Sequence, residues 1–110
     1  MPDARESPRA KRFAKIGGEM VSLPAVEGYA AALWPGAEHA VVTRPDPKKG
    51  EQLVLFTTAK DADPKTLQQW GRGNGVTELM IPREIRALEV LPVLGTGKVD
   101  YVMLAQMAVS

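Results

Sequence analysis

The sequence predicts a small α+β domain: an N-terminal β-hairpin, then a short three-stranded sheet with helices packed on it. Three observations carry this. Short alternating or β-branched runs recur at 11–16, 19–22, 40–43, 52–58 and 85–88, with glycines or prolines between them. Two cap-type residues stand beside a proline ahead of a helical stretch, Ser22 with Pro24 and Asp63 with Pro64. And 110 residues, 45% of them apolar, suit one domain with a modest core.

The elements follow in order. Residues 1–8 are polar with two prolines and are expected to form a loose arm; the domain proper is expected over 9–110. Residues 11–16 alternate charged and apolar side chains, as a half-buried strand does. Gly17-Gly18 turns the chain, and 19–22 returns as the second strand of a hairpin. Ser22 caps a helix over 23–34 whose apolar face holds Leu23, Val26, Ala30 and Leu33, and Pro35-Gly36 stops it. Strands at 40–43 and 52–58 flank the polar turn 45–50 and read as an antiparallel pair. Asp63 caps a helix reaching about Trp70, and Gly71-Arg72-Gly73-Asn74-Gly75 ends it with residues that accept left-handed angles. A strand at 85–88 follows Pro82. Gly95-Thr96-Gly97 is a glycine loop, and a last amphipathic helix is expected over 99–107.

Composition removes several functions. The formal net charge is +1, so no global field steers nucleic acid to the chain. There is no cysteine, hence no disulfide, thiolate zinc site or cysteine nucleophile. A single histidine, His39, leaves little for a histidine metal site or a Ser-His triad, and it is expected at the surface or as a cap. No apolar run approaches the roughly 20 residues that span a bilayer, so this domain is not expected to insert into a membrane. The charged N-terminus lacks the apolar segment of a signal peptide. A soluble, cytoplasmic domain is the expectation. Trp34 and Trp70 lie near helix ends and read as packing residues.

Two segments carry chemistry. One is Pro8-Arg9-Ala10-Lys11-Arg12-Phe13-Ala14-Lys15-Ile16-Gly17-Gly18-Glu19-Met20-Val21; the other is Leu91-Pro92-Val93-Leu94-Gly95-Thr96-Gly97-Lys98-Val99-Asp100. A lone Gly-Lys pair arises easily by chance. Gly97-Lys98 does not end a phosphate-binding P-loop, because Pro92 stands where the first glycine is needed and Val99 where Ser or Thr is needed. Nor is the Gly71–Gly75 cluster a Rossmann fingerprint, since it follows a helix and its third glycine comes one residue early.

Together the two segments resemble the C-terminal domain of the adenylate-forming, AMP-binding acyl ligase superfamily. The resemblance runs from Arg9 through nearly the whole chain. Residues 9–23, Lys49-Gly50-Glu51 with 53–58, Leu67-Gln68-Gln69 and Pro82-Arg83-Glu84-Ile85-Arg86 resemble, more closely, the synthetase part of the bifunctional 2-acylglycerophosphoethanolamine acyltransferase/acyl-acyl carrier protein synthetase subfamily. There are departures. Pro8 replaces a glycine and stiffens the turn, Leu94 stands where threonine is common, and Ala25 stands where glutamate often opens the first helix.

The resemblance implies an enzyme domain that rotates between two half-reactions and is not active alone. Lys98 would be the catalytic lysine of acyl-adenylate formation. Arg9 would touch the nucleotide, and Lys11 would be the hinge. Gly17, Gly18 and Glu19 would line the path of a pantetheine thiol. ATP or AMP, with Mg2+, would be bound mainly by an N-terminal adenylation domain. The acceptor would be CoA or the phosphopantetheine of an acyl carrier protein, the acyl donor a long-chain fatty acid, and the subfamily resemblance implies a parent associated with the inner membrane. The basic cluster Arg5, Arg9, Lys11, Arg12 and Lys15 would attract an acidic carrier protein or a phosphate-rich ligand, or simply be a solvated face. Two rivals differ in class: a free-standing interaction module of the same fold that binds a carrier protein or partner ligase, and nucleic-acid binding through the basic arm, which the low net charge disfavours.

Overall fold

In the computed structural model, residues 12–109 are described. The expected arm, Arg9 and the expected hinge residue Lys11 lie outside the described residues. The elements run β1 (Phe13–Ile16), β2 (Glu19–Ser22), α1 (Leu23–Leu33), β3 (His39–Asp46), β4 (Gly50–Thr57), α2 (Pro64–Gly73), a 3-10 turn (Glu78–Met80), β5 (Glu84–Ala87) and α3 (Tyr101–Ala108). β1 and β2 form the expected hairpin, and β3, β4 and β5 form the expected three-stranded sheet.

β4 is central. It pairs antiparallel with β3 and parallel with β5. Its Leu53-Val54-Leu55-Phe56 run is buried throughout, because both faces of the sheet are covered. Val41, Leu53 and Leu55 face one core together with Ala14, Ile16 and Val21 of the hairpin, Leu23, Val26 and Ala30 of α1, and Leu67 of α2. Ala40, Val42, Val54 and Phe56 face a second core with Leu91, Leu104 and Ala108. The helices are thus split, with α1 and α2 over one face and α3 over the other.

The caps act as the sequence dictates. Ser22 Oγ accepts from the Ala25 N–H at 3.3 Å, and Asp63 Oδ1 accepts from the Thr66 N–H at 2.8 Å. Pro24 and Pro64 sit in first turns, where a missing N–H leaves nothing unmade.

Several boundaries differ from expectation by a few residues. β3 runs on through Pro45, which is tolerated because β3 is an edge strand. α2 continues through Gly71 and Gly73, and only Gly75 of that cluster is left-handed. Gly71 is small for packing: a Cβ there would lie 2.8 Å from Ile81 Cδ1. β5 is a residue earlier than expected. α3 starts at Tyr101, because Val99 is held in a bridge with Val93.

Candidate functional site

The Lys98 segment folds as a miniature hairpin. Val93 and Val99 bridge, the Leu94 N–H donates to the Lys98 carbonyl at 2.7 Å, and the Gly97 N–H donates to the Leu94 carbonyl at 2.8 Å. Gly97 has φ +90°, a left-handed angle that closes the turn and suits glycine. Gly95 is not left-handed, so one glycine of the pair carries the backbone requirement. Lys98 is exposed, and among the described residues its side chain has no hydrogen-bond or ion-pair partner. Its position is therefore set through the main chain. Beyond it, the Asp100 N–H donates to the Pro92 carbonyl at 2.9 Å, and Asp100 Oδ1 caps α3 by accepting from the Met103 N–H at 3.0 Å. A three-donor ammonium at the tip of a braced turn can bridge two anionic oxygens.

The Gly17-Gly18 turn is the second candidate. Both glycines are left-handed, φ +60° and +89°, between the paired Ile16 and Glu19. This is the primed two-residue turn that matches strand twist. The Gly17 N–H donates to the Lys49 carbonyl at 3.0 Å, so Gly17 spends its amide inside the fold. Gly18 has open space where a side chain would be. Glu19 is exposed, and Met20 after it is 65% exposed.

The structure does not bring the two turns together. Hairpin residues pack in the core on the α1 side of the sheet, whereas Val99 and Leu91 pack in the core on the α3 side. The chain presents two separate surfaces, one with a cation and one with a glycine turn.

Sequence reasoning missed a third feature. Glu27, on the buried face of α1, accepts from Arg12 through both carboxylate oxygens, at 3.3 and 2.9 Å, with the two side chains 14% and 7% exposed. The same Glu27 Oε2 accepts from the Val41 N–H at 2.8 Å and from the Tyr101 hydroxyl at 3.2 Å. Arg12 also donates to the Val41 carbonyl at 2.6 Å, and its guanidinium lies 3.8 Å above the Tyr101 ring. Arg12 is thus no part of a solvated basic face. Deleting one partner of such a pair costs about 3–5 kcal/mol, because the other charge stays buried. Two signals were available: Arg12 shares its strand face with buried Ala14 and Ile16, and Glu27 lies on the α1 stripe with Leu23 and Ala30.

His39 is a structural joint. Its Nε2 faces the Trp34 carbonyl at 3.0 Å and so must carry a hydrogen, and its Nδ1 lies 2.9 Å from the buried Thr57 hydroxyl. Trp34 and Trp70 pack against rings, of His39 and Tyr29 respectively. Among the described residues no three His, Asp or Glu side chains gather as a metal-ion ligand set. Among them, too, no helix is long and apolar enough to cross a membrane.

Comparison with known proteins bears on these surfaces. The profile of the AMP-binding enzyme C-terminal domain matches residues 25–98. "Probable acyl-activating enzyme 4" of Arabidopsis thaliana is 34% identical over 105 residues, covering 93% of this chain and 19% of that protein. The acetyl-coenzyme A synthetase of Chlorobaculum tepidum is 32% identical over 107 residues, 93% of this chain and 16% of its own length. The chain therefore spans less than a fifth of the length of these relatives. Among solved structures, Mycobacterium tuberculosis fatty acyl CoA synthetase superposes with a TM-score of 0.75 at 25% identity, over 88% of this chain and 20% of that one.

Proposed function

The chain belongs to the AMP-binding enzyme C-terminal domain family, and from that premise we propose that it is the mobile domain of an AMP-forming fatty acyl ligase, with one surface for each half-reaction. The observation that supports this reading most is that the hairpin, through Ala14, Ile16 and Val21, and the Lys98 loop, through Leu91 and Val99, pack against opposite faces of one sheet. A rotating domain presents surfaces over opposite faces to one active centre in turn.

In the first half-reaction a carboxylate oxygen attacks the α-phosphorus of ATP. An acyl–phosphate bond forms, the bond between the α-phosphorus and the bridging oxygen breaks, and pyrophosphate leaves. Negative charge gathers on the reacting oxygens, and the Lys98 ammonium stabilises it. Arg9 touches the nucleotide, and Lys11 absorbs the rotation. In the second half a thiol loses its proton, its sulfur attacks the acyl carbonyl, and AMP leaves. Gly17, Gly18 and Glu19 border the thiol's path, with Gly18 offering the space and amide that Gly17 does not. The thiol belongs to CoA or to an acyl carrier protein; the segment matches at 9–23 and 82–86 favour the carrier-protein subfamily. ATP and Mg2+ are held by a larger N-terminal adenylation domain.

The test is Lys98→Ala in a ligase carrying this domain. Adenylation, read as pyrophosphate release, should fall about 100- to 1000-fold, the loss typical of a transition-state charge donor. Thioester formation from pre-made acyl-adenylate should survive. Unchanged adenylation would instead favour an interaction module of the same fold.

A further inference from the structure

We propose that Arg12, Glu27 and Tyr101 form a positioning knot that sets where Lys98 sits, tying the start of the hairpin to the Lys98 loop across the open edge of the sheet. This rests on the reading of Lys98 given above.

Val41 lies on edge strand β3, and its N–H and its carbonyl are both taken by the knot, the first by Glu27 and the second by Arg12. An edge strand's outward groups invite pairing with another chain; here side chains from two other segments occupy them. Through Glu27, the knot also joins the two segments that the functional reading uses. Arg12 directly follows the proposed hinge residue Lys11. Tyr101 is the first residue of α3, three residues beyond Lys98. Its hydroxyl is fixed by Glu27 and its ring by the overlying Arg12 guanidinium. Between Tyr101 and Lys98 stand Asp100, bonded back to Pro92, and Val99, bridged to Val93. Displacing Tyr101 therefore moves both stems of the Lys98 turn. Since Lys98 has no side-chain partner among the described residues, those stems are what aim it. The contacts are also specific: Arg12 supplies a two-pronged fork to the carboxylate and a flat face to the ring, which lysine cannot do together.

The test uses the full ligase carrying this domain. Tyr101→Phe keeps the ring beneath Arg12 and removes only the hydroxyl, so folding is preserved; Arg12→Lys keeps the charge and removes the fork; Lys98→Ala is the reference. For Tyr101→Phe, kcat of adenylation should fall about 10-fold with KM for ATP nearly unchanged, while thioester formation from pre-made adenylate stays within about twofold. Amide hydrogen exchange at residues 94–99 should speed up, and Tyr101→Phe should cost nothing further in a Lys98→Ala background. If both half-reactions fall together with Tm, or adenylation is untouched while Lys98→Ala abolishes it, the knot is only an edge cap and the proposal is wrong. If Lys98→Ala itself leaves adenylation intact, the functional reading fails first and the knot has nothing to aim.

Discussion

The hairpin turn and the Lys98 turn use the same device and are anchored in different ways. Each reverses the chain with left-handed glycine, at Gly17-Gly18 and at Gly97. The hairpin turn is tied outward to the fold, by the Gly17 N–H on the Lys49 carbonyl and by Ile16 in the larger core. The Lys98 turn is closed by its own hydrogen bonds and braced at its stems by Asp100 and Tyr101. The first is a wall whose shape matters; the second is a mount whose aim matters. Their responses to mutation should differ accordingly.

Of the effects that distinguish the two turns, the largest on the fold come from the two cores behind them. Leu55→Ala empties the hairpin side and Leu104→Ala the α3 side; each should cost about 2–5 kcal/mol in denaturant unfolding. Both leucines are fully buried. Because the shared strands β3 and β4 carry both cores, each variant should show a single transition. A separate early transition for Leu104→Ala would mean that the α3 layer melts alone, and would sharpen the contrast between mount and wall.

Smaller effects come from the turns. Gly18→Val and Gly97→Ala each force a side chain into a left-handed angle, at about 1–2 kcal/mol of stability. Their functional losses should diverge. Gly97→Ala should lower adenylation about 10-fold through misaiming of Lys98. Gly18→Val should instead slow transfer to the thiol, because open space lies where its side chain would enter. Equal losses in both half-reactions for both variants would break the comparison.

The smallest effects are electrostatic. Hydrogen bonds from the Thr66 backbone and hydroxyl hold Asp63 below the ordinary aspartate value of 3.8, and backbone bonds from Lys49 and Lys48 do the same for Asp46. A carboxylate lowered in the folded state stabilises fully above its unfolded value and loses that contribution as pH falls through the folded one. Thermal melts should therefore weaken below about pH 4, and Asp63→Asn with Asp46→Asn should flatten that acid limb while changing Tm little at pH 7.

Much of this was legible because local signals agreed with the fold. Ser22-Leu23-Pro24 and Asp63-Pro64 opened helices where cap chemistry says they must. The run 53–56 announced a strand, and its lack of alternation fits burial on both faces. What was hidden depended on tertiary context. Pro45 reads as a breaker until β3 is known to be an edge. Val99 reads as helix until its bridge to Val93 is seen. Gly71 reads as a stop, but Ile81 packs against it inside the helix. Arg12 reads as one of a basic cluster, and only the fold pairs it with Glu27, 15 residues on.

The most direct test sets the two surfaces against each other in one ligase: Lys98→Ala and Gly18→Val, each assayed for adenylation from ATP and for thioester formation from pre-made acyl-adenylate. The account predicts a crossed result, in which Lys98→Ala loses adenylation and keeps transfer, while Gly18→Val keeps adenylation and loses transfer. Parallel losses, or a Lys98→Ala enzyme that adenylates normally, would contradict it.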